Sequence, residues 1–307
     1  YLTTHPYSSE AVWVNAQSPS RRRKWSRWIA AALLVASTPA IAQDPPVCRE
    51  AWGVGDVRVA CLGNSNTQSD WQFAQPDGFP REEGWCERLA DDTNRVTTLN
   101  CGWGGATASP NVSGNPRSQG AGQVEAALAD PTVEIIILAF GTNDLGFSLN
   151  NPDLLLLDDP TPSAIADVIE MLAGVVENEG ASVLVATTPY REQPTDPMLP
   201  PPAEGINDLV TELNNELMLR FESNQMIDFS SGFALEDFLS DGTHMSSSGM
   251  AKRADAAGEA VFHLVPEPDP VWARFAALLV LLLRRRASLR RRLSPAGDGA
   301  DRRRRGR

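Results

Sequence analysis

Basic side chains are scarce in the middle of this 307-residue chain. Between Gln43 and Pro268 there are 10 lysines and arginines against 35 aspartates and glutamates, a formal charge of −25, and Lys252 is the only lysine there. So acidic a body repels nucleic acid and anionic membrane surfaces, which argues against either as a partner. Long apolar runs are lacking too. Phe275 to Leu283 gives nine unbroken apolar residues, too few to span a bilayer when about 20 are needed. Histidine occurs three times, at positions 5, 244 and 263, so any imidazole chemistry has few candidates. Cysteine occurs four times, as Cys48, Cys61, Cys86 and Cys101. Their spacing shows no zinc pattern and no cysteine has a histidine near it in sequence. There are no internal repeats.

Both ends read as processing signals. Arg21 to Lys24, with Arg27, form a basic region, and Ile29 to Ala36 a short apolar one. Ala40-Ile41-Ala42 then has the small-x-small pattern of a signal peptidase site, which predicts a mature start at Gln43. Residue 1 is Tyr and twenty residues precede the basic run, so residues 1–20 are given no structural role. At the other end, Val265-Pro266-Glu267-Pro268 precedes the apolar run Phe275 to Leu283 and then Arg284-Arg285-Arg286. That order resembles the PEP-CTERM sorting signal of Gram-negative bacteria, although the stretch from Ala287 to Arg307 is longer than such tails usually carry. The resemblance implies transient membrane attachment and cleavage by an exosortase; the alternative is a C-terminal anchor that stays. The chain thus divides into an extension and signal peptide (1–42), a short segment (43–56), one domain (57–264) and a sorting tail (265–307). Export to the periplasm, cell surface or medium is expected. An oxidising compartment allows disulfides, and four cysteines permit three pairings. Cys61 with Cys101, near two candidate adjacent strands, and Cys48 with Cys86 are the expected pairs.

Within the domain, strand-like runs at 57–62, 95–100, 134–140, 182–187 and 226–229 alternate with helical patterns at 80–92, 120–129, 162–179, 204–222 and 247–263. Ile135-Ile136-Ile137-Leu138 and Val183-Leu184-Val185-Ala186 are apolar at every position, as in strands buried on both faces. The alternation predicts α/β architecture, a parallel sheet with helices on both sides. Residues 108–119, 145–161 and 188–203, rich in Pro, Asn, Asp and Ser, read as long loops.

Four motifs fall where such sheets bind ligands, beyond the C-terminal ends of the strands. Gly63-Asn64-Ser65-Asn66-Thr67 follows the first strand and presents a serine. Asn100-Cys101-Gly102-Trp103-Gly104-Gly105-Ala106-Thr107 follows the second, and its glycines allow close backbone approach. Gly141-Thr142-Asn143-Asp144 follows the third. Asp241-Gly242-Thr243-His244 precedes the last helix and sets a carboxylate three residues from an imidazole. A serine hydroxyl needs a base, the base needs an orienting acid, and a tetrahedral intermediate needs aimed N–H donors. Each motif alone has an ordinary reading, as a helix cap, a turn or an exposed loop. All four in this order on one α/β domain point to a serine ester hydrolase. His263 reads as structural, and His5 lies upstream of the signal peptide.

The blocks Gly63-Asn64-Ser65, Asn100-x-Gly102-x-x-Gly105-x-Thr107, Gly141-Thr142-Asn143-Asp144 and Asp241-x-x-His244 resemble the SGNH hydrolases, also called GDSL-type lipases and esterases. The resemblance covers about 57–263. It implies a flavodoxin-like three-layer α/β/α fold, Ser65 as nucleophile and Asp241 and His244 completing a catalytic triad. It implies Ser65, Gly105 and Asn143 as oxyanion donors, and no metal or organic cofactor. Asn64 departs from the family name, which has Asp there. The substrates it implies are small-molecule or polysaccharide esters. Sorting tails of this kind accompany exopolysaccharide production, which favours short acyl groups on carbohydrates. A lipase or lysophospholipase, an O-acyltransferase of the same fold, and a non-catalytic glycan-binding surface protein are the alternatives.

Overall fold

The computed structural model describes residues 48, 49, 51–68, 83–93 and 95–265. The expected signal peptide, His5 and the tail from Pro266 lie outside the described residues. Five strands form the sheet: β1 (Val57–Gly63), β2 (Val96–Asn100), β3 (Ile135–Ala139), β4 (Ser182–Ala186) and β5 (Met226–Ile227). All pair in parallel, in the order β2-β1-β3-β4-β5. Among the described residues, six α-helices connect and cover them: α1 (Trp85–Thr93), α2 (Gly120–Leu128), α3 (Thr142–Asn150), α4 (Pro162–Asn178), α5 (Ile206–Arg220) and α6 (Ser247–Leu264).

Side chains alternate across the strands and build two cores. Ala60, Leu62, Ile136, Leu138, Val183 and Val185 meet α2, α3, α4 and α5 on one face. Val59, Cys61, Ile135, Ile137, Leu184 and Ile227 meet α1 and α6 on the other. This is the three-layer α/β/α arrangement. Helix α4 shows how the sequence directs it: Ile165, Ile169, Leu172 and Val176 recur at helical spacing and are all buried. Its start is fixed by Pro162 in the first turn and by Thr161, whose side chain accepts from the Ala164 N–H. The segment ahead of the domain covers the free edge of β2. Trp52 exchanges backbone hydrogen bonds of 2.8 Å with Thr98, and the Arg49 N–H donates to the Asn100 carbonyl at 3.0 Å. An open sheet edge is thereby closed. Among the described residues, no helix is long and apolar enough to cross a membrane.

Three expectations need correction. Residues 145–161 are not all loop, because α3 runs through Asn150 and a 3₁₀ turn follows at Pro152–Leu154. Gly146 and two asparagines give α3 poor intrinsic propensity. Tertiary anchors hold it instead, through the fully buried Leu145 and Asp144. Strand β5 stops at Ile227 rather than 229, because the Asp228 carboxylate accepts from the N–H groups of Ser230 and Ser231 and turns the chain.

The disulfides are Cys48–Cys101 and Cys61–Cys86, not the expected pairs. The reason is the period of two. Cys61 stands in register with Asn100, so Cys101 projects to the opposite face. Cys61 therefore meets Cys86 on α1, within the core it shares with α6. Cys101 meets Cys48 from the edge segment, within the other core. Peptide mapping without reduction should return these two pairs and no Cys61–Cys101 peptide. Replacing Cys61 and Cys86 together by alanine should lower the unfolding free energy in urea by about 2–5 kcal/mol.

Candidate active site

The site begins where β1 ends. A Cβ on Gly63 would lie 2.6 Å from the Ala139 carbonyl oxygen, so only glycine fits between the ends of β1 and β3. Gln123 of α2 locks that peptide: its amide donates to the Gly63 carbonyl at 2.9 Å and its oxygen accepts from the Gly63 N–H at 2.8 Å. The chain then turns over Asn64, whose side chain accepts from the Asn66 N–H at 3.0 Å and whose carbonyl accepts from Thr67 and Gln68. An amide oxygen serves this turn as a carboxylate would, which accounts for Asn64 in place of Asp. Ser65 sits at the crest, 9% exposed.

Ser65 Oγ lies 2.8 Å from His244 Nε2, although 179 residues separate them in sequence. The far side of the ring, Nδ1, is hydrogen-bonded to Asp241 Oδ2. Asp241 Oδ1 also accepts from the N–H groups of Thr243 and His244, each at 2.9 Å. Burial pushes the Asp241 carboxyl up. The bond and charge of the His244 ring, with the two backbone N–H groups, outweigh burial and hold it down at about 2. With Nδ1–H donated to this carboxylate, Nε2 is left to accept from the serine hydroxyl. The loop carrying Asp241 and His244 rests on the segment after β4: the Glu192 N–H donates to the Gly242 carbonyl at 2.8 Å and the Thr195 N–H to the Ser240 carbonyl at 2.9 Å.

The remaining two motifs close the other side. The Cys101 and Trp103 N–H groups donate to the carbonyls of Cys61 and Gly63, which draws the glycine loop against the end of β1. Gln68 accepts from the Gly104 N–H. Gly105 has φ +75°, a left-handed conformation, and a Cβ there would meet nothing within 4 Å. Its N–H and that of Ser65 have no partner among the described residues. Asn143 donates one amide hydrogen to the Ala106 carbonyl at 2.9 Å and keeps the other. Next to it, the Asp144 carboxylate accepts from the N–H groups of Ala108 and Ser109 at 3.0 and 2.9 Å. Burial pushes the Asp144 carboxyl up against the pull of these bonds. Arg191, after β4, donates to the Thr142 carbonyl at 2.8 Å; burial pushes its guanidinium down, opposed by the charge of Asp241.

The structure thus gathers Ser65, Gly105, Asn143, Asp241 and His244 at one edge of the sheet. His263 lies exposed in the last turn of α6, away from that edge. Sequence reading passed over Asn66, Gln123, Asp144 and Arg191. Asp144 lies in the Gly141–Asp144 motif, but its partners are 35 and 36 residues away, and Gln123 reaches Gly63 across 60 residues. No local pattern signals such contacts. Among the described residues, no group of three or more His, Cys, Asp or Glu could hold a metal ion. Chemically, a serine hydroxyl donating to an imidazole backed by a carboxylate, beside free N–H donors, is equipped for acyl transfer.

No curated protein sequence matches the chain. Solved structures do share its fold. An aryl esterase of M. smegmatis is 21% identical with a TM-score of 0.57, covering 68% of this chain and 100% of its own. A carbohydrate acetylesterase from Sinorhizobium meliloti is 21% identical with a TM-score of 0.52, covering 68% of this chain and 99% of its own. An arylesterase, so described provisionally, from Agrobacterium tumefaciens str. C58 is 20% identical with a TM-score of 0.54, covering 68% and 100%. The GDSL-like Lipase/Acylhydrolase family matches residues 61–252, from the middle of β1 into α6 and through all four motifs. The chain therefore belongs to the GDSL-like lipase/acylhydrolase family and is an ester-hydrolysing enzyme.

Proposed function

We propose that the protein is an exported serine carboxylic-ester hydrolase that works through an acyl-enzyme and removes short acyl groups from carbohydrates. The observation that carries the chemistry is the 2.8 Å contact from Ser65 Oγ to His244 Nε2, with Asp241 behind the ring. His244 takes the Ser65 proton as the hydroxyl oxygen attacks the ester carbonyl. The oxyanion is held by the N–H groups of Ser65 and Gly105 and the free amide hydrogen of Asn143. His244 gives the proton to the departing alcohol. A water, deprotonated by His244, then attacks the acyl-enzyme, and the acid leaves as the Ser65 oxygen takes that proton back from His244. All of these groups belong to the chain itself.

The substrate reading rests on three supports. One of the similar structures is a carbohydrate acetylesterase. The mature body carries −25, which disfavours the anionic lipid surface that a lysophospholipase would work on. The tail resembles a sorting signal that accompanies polysaccharide export. Export itself is supported by the signal-like stretch ending at Ala42, which signal peptidase would cut, and by two disulfides that suit an oxidising compartment. An exosortase is the partner the tail calls for.

Hydrolysis of p-nitrophenyl acetate, butyrate and palmitate tests the assignment. Ser65→Ala should reduce kcat at least about 10³-fold. Asn143→Ala should reduce it about 10²- to 10³-fold with little change in KM, as expected for a donor that acts on the oxyanion. Exclusive cleavage of the palmitate ester, with none on acetylated xylan, would reject the carbohydrate reading. Acid stability gives a separate check. The Asp241 carboxyl lies at about 2 in the folded protein, below its ordinary 3.8. Its stabilisation is therefore present above pH 4 and is lost as the pH falls from about 4 to 2. Acid unfolding followed by circular dichroism should show a smaller loss across that window in Asp241→Asn than in the wild type.

A further inference from the structure

We propose that Asn66 is a positioning residue that aligns the His244 imidazole with the Ser65 hydroxyl. The proposal rests on the reading of Ser65 and His244 as nucleophile and base. Asn66 is the next residue after Ser65 and is 2% exposed. Its side-chain amide donates to the Thr243 carbonyl at 3.3 Å, and its side-chain oxygen accepts from the Met245 N–H at 3.0 Å. Those two peptides flank His244 on either side. One side chain therefore holds the base's backbone from both directions, across 177 and 179 residues of sequence.

The geometry separates this clamp from the bonds that shape the His244 loop internally. Asp241 takes the His244 N–H, and the His244 carbonyl accepts from the Leu239 N–H at 2.7 Å. Both fix His244 relative to its own loop. Neither fixes it relative to β1, from which Ser65 projects. The hydrogen bonds of Asn66 do that, and the Asn66 backbone is itself tied into the Asn64 turn at 3.0 Å. Nucleophile and base thus share one rigid reference. Proton transfer from a hydroxyl is steeply sensitive to donor–acceptor placement, and a displacement near 1 Å can cost about 100-fold. A group of this kind is felt in turnover more than in substrate binding, because it touches no part of the ester.

The test uses the full chain with p-nitrophenyl acetate. Asn66→Leu keeps the same number of side-chain heavy atoms and the branch at Cγ, and removes both hydrogen bonds. Asn66→Asp keeps an acceptor for the Met245 N–H but has no donor for the Thr243 carbonyl. We expect kcat of the leucine variant to fall about 10- to 100-fold with KM within about twofold. Fluorophosphonate labelling of Ser65, which reports nucleophile activation without the substrate, should slow by the same factor. The aspartate variant should lie between. Wild-type kcat and labelling rate in a folded leucine variant, with only the melting temperature lowered, would overturn the proposal and leave Asn66 a structural amide. If the leucine variant does not fold, the aspartate variant decides: wild-type kcat overturns the proposal, and a reduced kcat at unchanged KM supports it. Activity that survives Ser65→Ala would instead sink the underlying assignment of nucleophile and base.

Discussion

The interior strand β1 is the reference on which the site depends. It is bonded to β2 on one side and β3 on the other, and Val59 to Leu62 are completely buried. A strand held this way cannot shift without breaking two ladders and disturbing two close-packed cores. Its last residues pass that rigidity on. Gly63 is gripped by Gln123, while Cys61 and Gly63 supply carbonyls to the glycine loop. Cys61 is also bonded covalently to α1. Loops make up most of the site's surface, yet each returns to β1 or to an element packed on it.

Two carboxylates near the site are treated in opposite ways. Asp241 is paired with an imidazole and two N–H groups, so its charged form is favoured despite burial. Asp144 is sealed off completely and has no cation beside it, only hydrogen bonds from Ala108 and Ser109 that pull the other way, so burial dominates. The first group holds its negative charge beside the His244 ring. The second holds Ala108 and Ser109 beside Asn143. Burying an acid without a cation is costly, and its place here secures the loop that follows Gly105 relative to α3.

Much of this was legible in the sequence, and what escaped shares a physical cause. The strands through Ile135–Ala139 and Ser182–Ala186 announced themselves because burial on both faces leaves no polar position. Helix α4 announced itself through its apolar spacing. Ser65, Gly105, Asn143, Asp241 and His244 could be singled out because short motifs carry them. Helix α3 was hidden because its stability comes from Leu145 and Asp144 reaching other elements, not from its own composition. The disulfides were misjudged because adjacency of strands says nothing of which face a residue takes. Cys61 and Cys101 are neighbours along the ladder and still point apart. Asn66 and Gln123 read as ordinary polar residues, since the bonds that tie them to the site reach Gly63 across 60 residues and the His244 loop across 177 and 179.

Helix α6 starts three residues after His244 and ends at Leu264, which with Val265 borders the same hollow as Val57, Ile135 and Ser182, the first residues of three strands. It thus runs from the His244 loop to the opposite ends of the strands. Val265 is therefore at the end of the domain opposite Ser65. A support or fusion partner attached at Val265 would leave the Ser65 edge of the sheet facing the surrounding medium.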